Sequence, residues 1–358
     1  MRIVSIVGAR PQFIKAAPVS RALRQSHEEI LVHSGQHYDA AMSDVFFEQL
    51  GLPQPDRELG IGSGPHGQQT GAMLSAIEEL LLDVGPDAVL VYGDTNTTLA
   101  GGLAAAKLTI PVVHVEAGLR SFNRAMPEEI NRVVVDHLSA LLFCPTQVAA
   151  DNLAAEGIRE GVHVVGDVMM DTLRLFAETS LAADTRAAFG VMPGDYFLAT
   201  VHRAGNTDDP ASLAALIDGF SRVGAPVLWP VHPRTRARLA EFGMEAAVAV
   251  SGNIRVLDPL PYLETITLLR SARALLTDSG GMQKEAYFFG VPCVTLREET
   301  EWVETVDLGW NTLVGTDPAL IAEAAAAAAR PAERPPVYGD GHAADRIADV
   351  IGAWTAAR

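Results

Sequence analysis

Short apolar runs alternate with longer helix-patterned stretches from one end of this 358-residue chain to the other. That rhythm constrains the fold more than any single motif does. The runs read as strands over 2–7, 29–33, 88–92, 111–115, 141–143 and 162–165, then over 196–200, 227–230, 254–257, 274–276 and 293–296. The stretches between them include helices predicted over 39–50, 66–82, 97–107 and 128–140; in the last, Ile130, Val134, Leu138 and Leu141 share a face. Strand–helix alternation builds parallel sheets through βαβ crossovers and leaves functional groups at C-terminal strand ends. A chain this long exceeds one comfortable core. The expectation is therefore an α/β protein of two Rossmann-like lobes with parallel sheets and a ligand cleft between the lobes. The N-terminal lobe is expected at 1–168, joined by a closing helix at 343–358, and the C-terminal lobe at 169–342. The alanine-rich run 322–329 continues the pattern as a helix, because alanine is the best helix former, and the prolines from Pro331 to Pro336 end it.

Composition narrows the partners. Lys and Arg number 27 against 44 Asp and Glu, a formal charge of −17. That balance repels nucleic acid and anionic membrane surfaces, and no apolar run is long enough to cross a bilayer. An anionic ligand would need cations gathered locally against the global field, which gives weight to Arg and His in loops after strands. Cys144 and Cys293 both end apolar runs and read as buried thiols. The apolar opening from Ile3 to Val7 is too brief for a signal sequence, so a reducing cytoplasm is expected.

The strongest local signal is Asp278-Ser279-Gly280-Gly281-Met282-Gln283-Lys284-Glu285. A strand runs into a turn of small residues and then a helix, so free backbone N–H groups and the helix dipole converge where an anion is welcome. Glycines there let a ligand approach the backbone, and Glu285 one turn in suits the hydroxyls of a sugar. A diphosphate carrying a ribose fits that description. Gly8, Arg10 and Lys15 form a basic loop after the first strand, where Arg10 and Lys15 suit phosphate oxygens. His202 beside Arg203, and His232 beside Arg234, end two strands of the second half in the same manner. Asp94, Glu116 and Glu128 come from successive strand or helix ends. Each alone is more often a structural cap; together they form an acid cluster whose mutual repulsion would prepare one member as an acid and another as a base. No Gly-x-Gly-x-x-Gly follows the first strand, no Gly-x-Ser-x-Gly elbow occurs, and the histidines lack paired metal-ligand spacing. No dinucleotide cofactor, nucleophilic triad or metal is expected.

In this order, segments 8–15, 34–37, 92–97, 114–120, 127–132, 200–203, 232–234, 278–285 and 297–301 resemble the non-hydrolysing UDP-N-acetylglucosamine 2-epimerase family, over essentially the whole chain. The resemblance implies the two-lobed GT-B fold, a UDP-sugar substrate, no cofactor and a homodimer. It implies an isomerase that expels UDP to leave a 1,2-unsaturated glycal, then adds UDP back after C2 has been inverted. Asp94, Glu116 and Glu128 match the family's catalytic carboxylates and His202 its catalytic histidine. Arg10, His232, Ser279, Gly280, Gly281, Glu285 and Arg297 match positions that hold the diphosphate or ribose, to which Lys15 and Arg234 add by their place in the loops.

Segments 11–15, 282–285 and 300–304 look like a branch that includes epimerases of UDP-2,3-diacetamido-2,3-dideoxy-glucuronate, which keeps a second sugar in view. Segments 38–44, 60–69 and 121–126 differ from bacterial relatives that a second UDP-sugar activates, so that control is not implied here. A GT-B glycosyltransferase would bind the same nucleotide but needs an acceptor and a single base. An idle binding protein would have lost the acids, and this chain keeps all of them.

Overall fold

A computed structural model describes residues 1–35, 51–176 and 186–356; the predicted helix 39–50, together with Gln36 and His37, lies outside them. The chain divides into two compact units, Met1–Glu178 with Pro336–Arg358, and Thr179–Pro335. In the first unit, strands β1 (Arg2–Val7), β2 (Glu28–His33), β3 (Arg57–Glu58), β4 (Ala88–Tyr92), β5 (Val112–Val115), β6 (Ser139–Cys144) and β7 (Val162–Val164) form one sheet in the order β3-β2-β1-β4-β5-β6-β7. In the second, β8 (Phe197–Thr200), β9 (Val227–Pro230), β10 (Ile254–Leu257), β11 (Ala274–Thr277), β12 (Cys293–Thr295) and β13 (Asn311–Leu313) are ordered β10-β9-β8-β11-β12-β13. The strand pairs of both sheets run parallel. Each sheet reverses its winding once, between β1 and β4 and between β8 and β11. Ligands of open α/β sheets sit outside the strand ends at such a reversal.

The sequence builds these layers in a direct way. Parallel strands are covered on both faces and so read as continuous Val, Ile and Leu, as in the wholly buried β4. The helix His66–Val84 brings Met73, Ile77 and Leu81 onto Val4, Ile6, Val32, Val89 and Val91. In the second unit Phe220 meets Trp229 edge-on at 5.5 Å inside a core that includes Leu213, Leu216 and Ile217. The alanine-rich helix, Pro318–Ala327, is capped by Asp317, whose carboxylate accepts from the amides of Ala319 and Leu320. Two strands escape a reading by pattern: β3 is two exposed charged residues, and β13 is short and partly polar.

One expectation shifts. The helix Val168–Phe176 and the segment 336–342 belong to the first unit, where 169–342 was expected to be one lobe. Their packing explains it. Thr172 donates to the carbonyl of Ile14, Asp167 N–H to that of Tyr338, and Asp171 accepts the first amides of the closing helix Ala343–Ala356 at 3.1 and 2.8 Å.

The helix Pro127–Leu138 departs from the usual amphipathic arrangement, in which the apolar stripe is buried. It turns its polar side inward, burying Glu129, Asn131, Arg132 and Asp136, while Ile130 and Val134 face outward. Glu129, Arg132 and Asp136 repeat with the same helical period as Ile130, Val134 and Leu138, so periodicity alone offers two stripes to bury. Ion pairs and hydrogen bonds to Asp94, just after β4, and to His114 of β5 decide between them.

Candidate active site

In the first unit the loop after β1 is stitched to the end of β4. Gln12 Oε1 accepts the amides of Gly8 and Ala9 at 2.8 and 3.0 Å, while its Nε2 donates to the Tyr92 carbonyl at 2.9 Å. Only glycine fits at position 8: a Cβ there would lie 2.0 Å from Ser34 Oγ and 2.3 Å from Thr97 Oγ1. One turn into the following helix, Lys15 is buried and pairs with Glu116. Glu116 holds a left-handed backbone, φ 72°, unusual outside glycine and costly by roughly 1–3 kcal/mol. The Phe143 carbonyl accepts the amides of both Glu116 and Ala117 at 3.0 Å, which fixes that conformation. Gly93, also left-handed, leaves space for the pair, since a Cβ there would lie 3.0 Å from Lys15 Nζ and 3.1 Å from Glu116 Oε2.

Asp94 follows at once, half-buried. Arg132 Nε and Nη2 both donate to its Oδ2, at 3.0 and 2.7 Å, and Asn131 Nδ2 donates to its carbonyl at 2.8 Å. The other branch of Arg132 reaches Glu129 at 2.9 Å. Glu129 also accepts from Ser121 N, Ser121 Oγ and Phe122 N, so this acid shapes the preceding loop. Beneath lies a buried triad. His114 Nε2 donates to the Gly93 carbonyl at 2.7 Å, and its Nδ1 meets Asp136 Oδ1 at 2.7 Å. Asp136 Oδ2 accepts from Arg120 at 2.7 Å and from the Gly118 amide at 3.1 Å. Burial alone would push the Asp136 carboxyl up; its bond to His114 and the charges of His114 and Arg120 outweigh that and hold it below the ordinary carboxylate range.

Glu128 differs from the other two acids. It sits half-buried in the first turn of its helix and makes no hydrogen bond or ion pair among the described residues. The expectation of acids sharing one repulsive field is thus corrected. Lys15 pairs with Glu116 and Arg132 with Asp94, and only Glu128 stands apart.

In the second unit β11 runs into Asp278 and Ser279. Ser279 caps the helix Gly280–Phe289, its Oγ accepting the Met282 amide at 3.4 Å, so Gly280 and Gly281 occupy the first turn, where amides have no partner in the helix ladder. Arg297 is buried and forked onto Glu301, with both contacts at 3.1 Å. Glu285 is buried and accepts from the Tyr262 hydroxyl at 2.9 Å, and Lys284 lies 4.1 Å over the Trp302 ring. At the end of β8, His202 projects from the loop next to Asp278. His232 caps the helix Pro233–Glu241, its Nδ1 accepting the Arg234 amide at 3.3 Å, and the exposed Arg234 guanidinium pairs with Asp208.

The family model described as UDP-N-acetylglucosamine 2-epimerase matches residues 21–352. The chain belongs to that family. It is 53% identical over 325 residues to a UDP-N-acetylglucosamine 2-epimerase homolog of Methanococcus maripaludis, covering 90% of this chain and 91% of the other. It is 50% identical over 361 residues to the UDP-2,3-diacetamido-2,3-dideoxy-D-glucuronate 2-epimerase of Pseudomonas aeruginosa, covering 98% and 99%. Among solved structures, the Methanocaldococcus jannaschii UDP-GlcNAc 2-epimerase in complex with UDP-GlcNAc and UDP superposes with a TM-score of 0.91 at 42% identity, covering 99% of this chain and 100% of that one. Both units thus have the α/β architecture of the GT-B type expected from the sequence.

Membership in the epimerase family frames where the predicted residues fall. Lys15, Asp94 and Glu116 gather at the β1/β4 reversal, with Glu128 on the helix that supplies Arg132. His202 and Ser279 flank the β8/β11 reversal. Arg10 opens the helix Arg10–Leu23, and its side chain lies outside the described residues. Arg132, Asn131, Asp136 and Tyr262 received no role from the sequence. The signal for the first three was the polar stripe on the helix Pro127–Leu138; for Tyr262, a partner 23 residues away in the chain, there was none.

Proposed function

We propose that this chain is a non-hydrolysing UDP-sugar 2-epimerase that interconverts UDP-N-acetylglucosamine and UDP-N-acetylmannosamine. The C1–O bond breaks and UDP leaves with the electron pair, while a carboxylate takes the C2 proton, so C1=C2 forms as 2-acetamidoglucal. UDP then adds to C1 and a proton to the opposite face of C2. The C2 proton is not acidified by a carbonyl, so most of the barrier falls on the departing diphosphate. Amides at a helix N-terminus and nearby cations serve that demand. Ser279, Gly280, Gly281, His232 and Arg297, with Arg10, are the proposed diphosphate and ribose groups, and Glu285 a ribose group held by Tyr262. Asp94, Glu116, Glu128 and His202 are the proposed proton-handling groups.

The observation that carries this is the division of labour among the acids. Two are oriented by buried cations, and the third, Glu128, stands without a partner among the described residues. In deuterated water the product is expected to carry deuterium at C2; unlabelled product would refute elimination. Glu128→Gln is expected to keep UDP affinity and lose turnover about 100-fold. Equal loss of both would make Glu128 a structural residue.

A second sugar is favoured by one specific likeness, the 50% identity over 98% of this chain to an epimerase of UDP-2,3-diacetamido-2,3-dideoxy-D-glucuronate. Supplying each nucleotide sugar alone, with no acceptor, separates the two substrates and also separates both from glycosyl transfer. A homodimer in the cytoplasm completes the proposal. Ile130 and Val134, four residues apart on one helix, are 50% and 36% exposed, an apolar stripe suited to a second copy. Both cysteines are free and buried, as a reducing compartment permits, and no helix among the described residues is long and apolar enough to cross a membrane.

A further inference from the structure

His202 and Asp278 sit on neighbouring strands of the second sheet, at the ends of β8 and β11 where the winding reverses. Asp278 has no exposed surface, yet it lies directly beneath a histidine whose side chain is 46% exposed. Its carboxylate accepts the His202 amide on both oxygens at 3.2 Å, the Arg203 amide at 3.0 Å and Asn206 Nδ2 at 3.1 Å. The remaining approach is the imidazole itself, with Nδ1 3.3 Å from Asp278 Oδ1. Asn206 also donates to the Leu296 carbonyl at 3.0 Å, which keeps this arrangement in register with the strand beyond. Across the same strand ends, the hydroxyls of Thr200 and Thr277 meet at 2.6 Å.

We propose that Asp278 is a positioning residue that holds the proton on Nδ1 of His202 and so presents an unprotonated Nε2 to the substrate. The inference rests on the proposed catalytic role of His202, and it adds what makes that histidine competent. An ionised carboxylate only accepts, so the nitrogen facing it carries the hydrogen, and a neutral ring then has its lone pair on the other nitrogen. Nε2 has no partner among the described residues. Burial strengthens the preference, because a carboxylate cut off from water has only these donors to face. Three donors, the His202 and Arg203 amides and Asn206 Nδ2, also fix the direction of the Asp278 oxygens. A histidine held by nothing but its own rotamers would visit both tautomers and several orientations.

The test uses the full-length protein labelled with ¹⁵N in the histidine rings. Long-range ¹H–¹⁵N spectra are recorded well above the ordinary imidazole pKa, with His202 assigned by its disappearance in H202Q. The wild-type signal is expected to be that of the Nδ1–H tautomer. D278N keeps an oxygen for the loop amides but can turn an amide donor toward the ring. It is expected to move His202 to the Nε2–H tautomer and to lower kcat about 100-fold or more, with KM changed less than about threefold. An Nε2–H tautomer in the wild type overturns the proposal, as does a D278N enzyme that raises KM while leaving kcat and the tautomer unchanged. If D278N fails to fold, the wild-type spectrum decides alone. If no deuterium enters C2 of any UDP-sugar, the epimerase proposal fails while the spectra still report on Asp278.

Discussion

Arg132→Met is the sharpest probe of how the first unit is built. Arg132 is 4% exposed and gives N–H groups to Asp94 at 3.0 and 2.7 Å and to Glu129 at 2.9 Å. Removing one member of a buried ion pair costs about 3–5 kcal/mol, because the partner charge stays behind. Two features here reduce that figure. Glu129 keeps its donors from Ser121 and Phe122, and Asp94, whose side chain is 29% exposed, regains water. A loss of about 2–3 kcal/mol is expected, which for a unit of this size lowers Tm by roughly 4–12 °C. Thermal unfolding followed by circular dichroism measures it. Methionine replaces much of the arginine stem, so lost packing contributes little.

The same substitution frees Asp94 from its orientation, and kcat is expected to fall about 100-fold, as it does when a reacting group moves by an ångström. Arg132→Lys retains charge but lacks the fork that serves two carboxylates, and should fall between. A double-mutant cycle with Asp94→Asn isolates the pair, with a coupling of about 0.5–3 kcal/mol expected. If R132M retains wild-type turnover, Arg132 does not position Asp94, and the account of the acid set is wrong at its centre.

Two further outcomes follow from the first unit. Burial pushes the Asp171 carboxyl from 3.8 up to about 6, with Asp167 adding to it and the Ala344 and Ala343 amides and Arg174 opposing. Between those values the folded chain keeps a proton that the unfolded chain has lost, so stability from this group falls as pH rises through the window. The total is about 3 kcal/mol, and Asp171→Asn should remove that slope in urea unfolding measured from pH 3.5 to 7; an unchanged slope refutes the assignment. Ile130→Asp puts charge into the exposed apolar stripe and is expected to halve the mass in sedimentation without altering the circular dichroism spectrum; an unaltered mass would exclude this helix from the interface.

The architecture was legible because its signals are local. Strand, turn and helix alternate with buried β-branched runs, and glycines stand where the backbone must be left-handed or crowded, as at Gly93 and Gly8. The acids were legible as residues at strand or helix ends. Their partners were less so. Lys15 was read toward phosphate, yet it pairs with Glu116, a contact across 101 residues of chain that no spacing rule encodes. The inverted helix was illegible for a different reason. Hydrophobic periodicity names the stripe most able to be buried, but this helix gains more by placing Arg132 and Asp136 against Asp94, His114 and Arg120. Which stripe wins depends on partners that exist only once the sheet has formed. Unit boundaries drifted likewise, because the end of the first unit is fixed by the cap that Asp171 provides for a helix far along the chain.

The two units solve opposite electrostatic problems with one device. In the first, groups at the sheet reversal are acids, and buried cations stand behind them: Lys15 with Glu116, and Arg132 with Asp94. In the second the groups are a histidine and cations, and the acids stand behind them: Asp278 under His202, and Glu301 against Arg297. A chain with a formal charge of −17 cannot attract an anion through its net field. Backing each cation with a buried acid adds further negative charge, but its effect is geometric. An unpaired arginine on a loop samples many rotamers and gives up that freedom on binding, whereas Arg297 is already fixed as a planar fork by Glu301. The same holds for the imidazole above Asp278. The cost is a buried pair whose net stabilisation is small. What that cost secures is direction: in the proposed elimination, whose difficulty is the departure of a diphosphate, the Arg297 fork is already aimed when the bond begins to break.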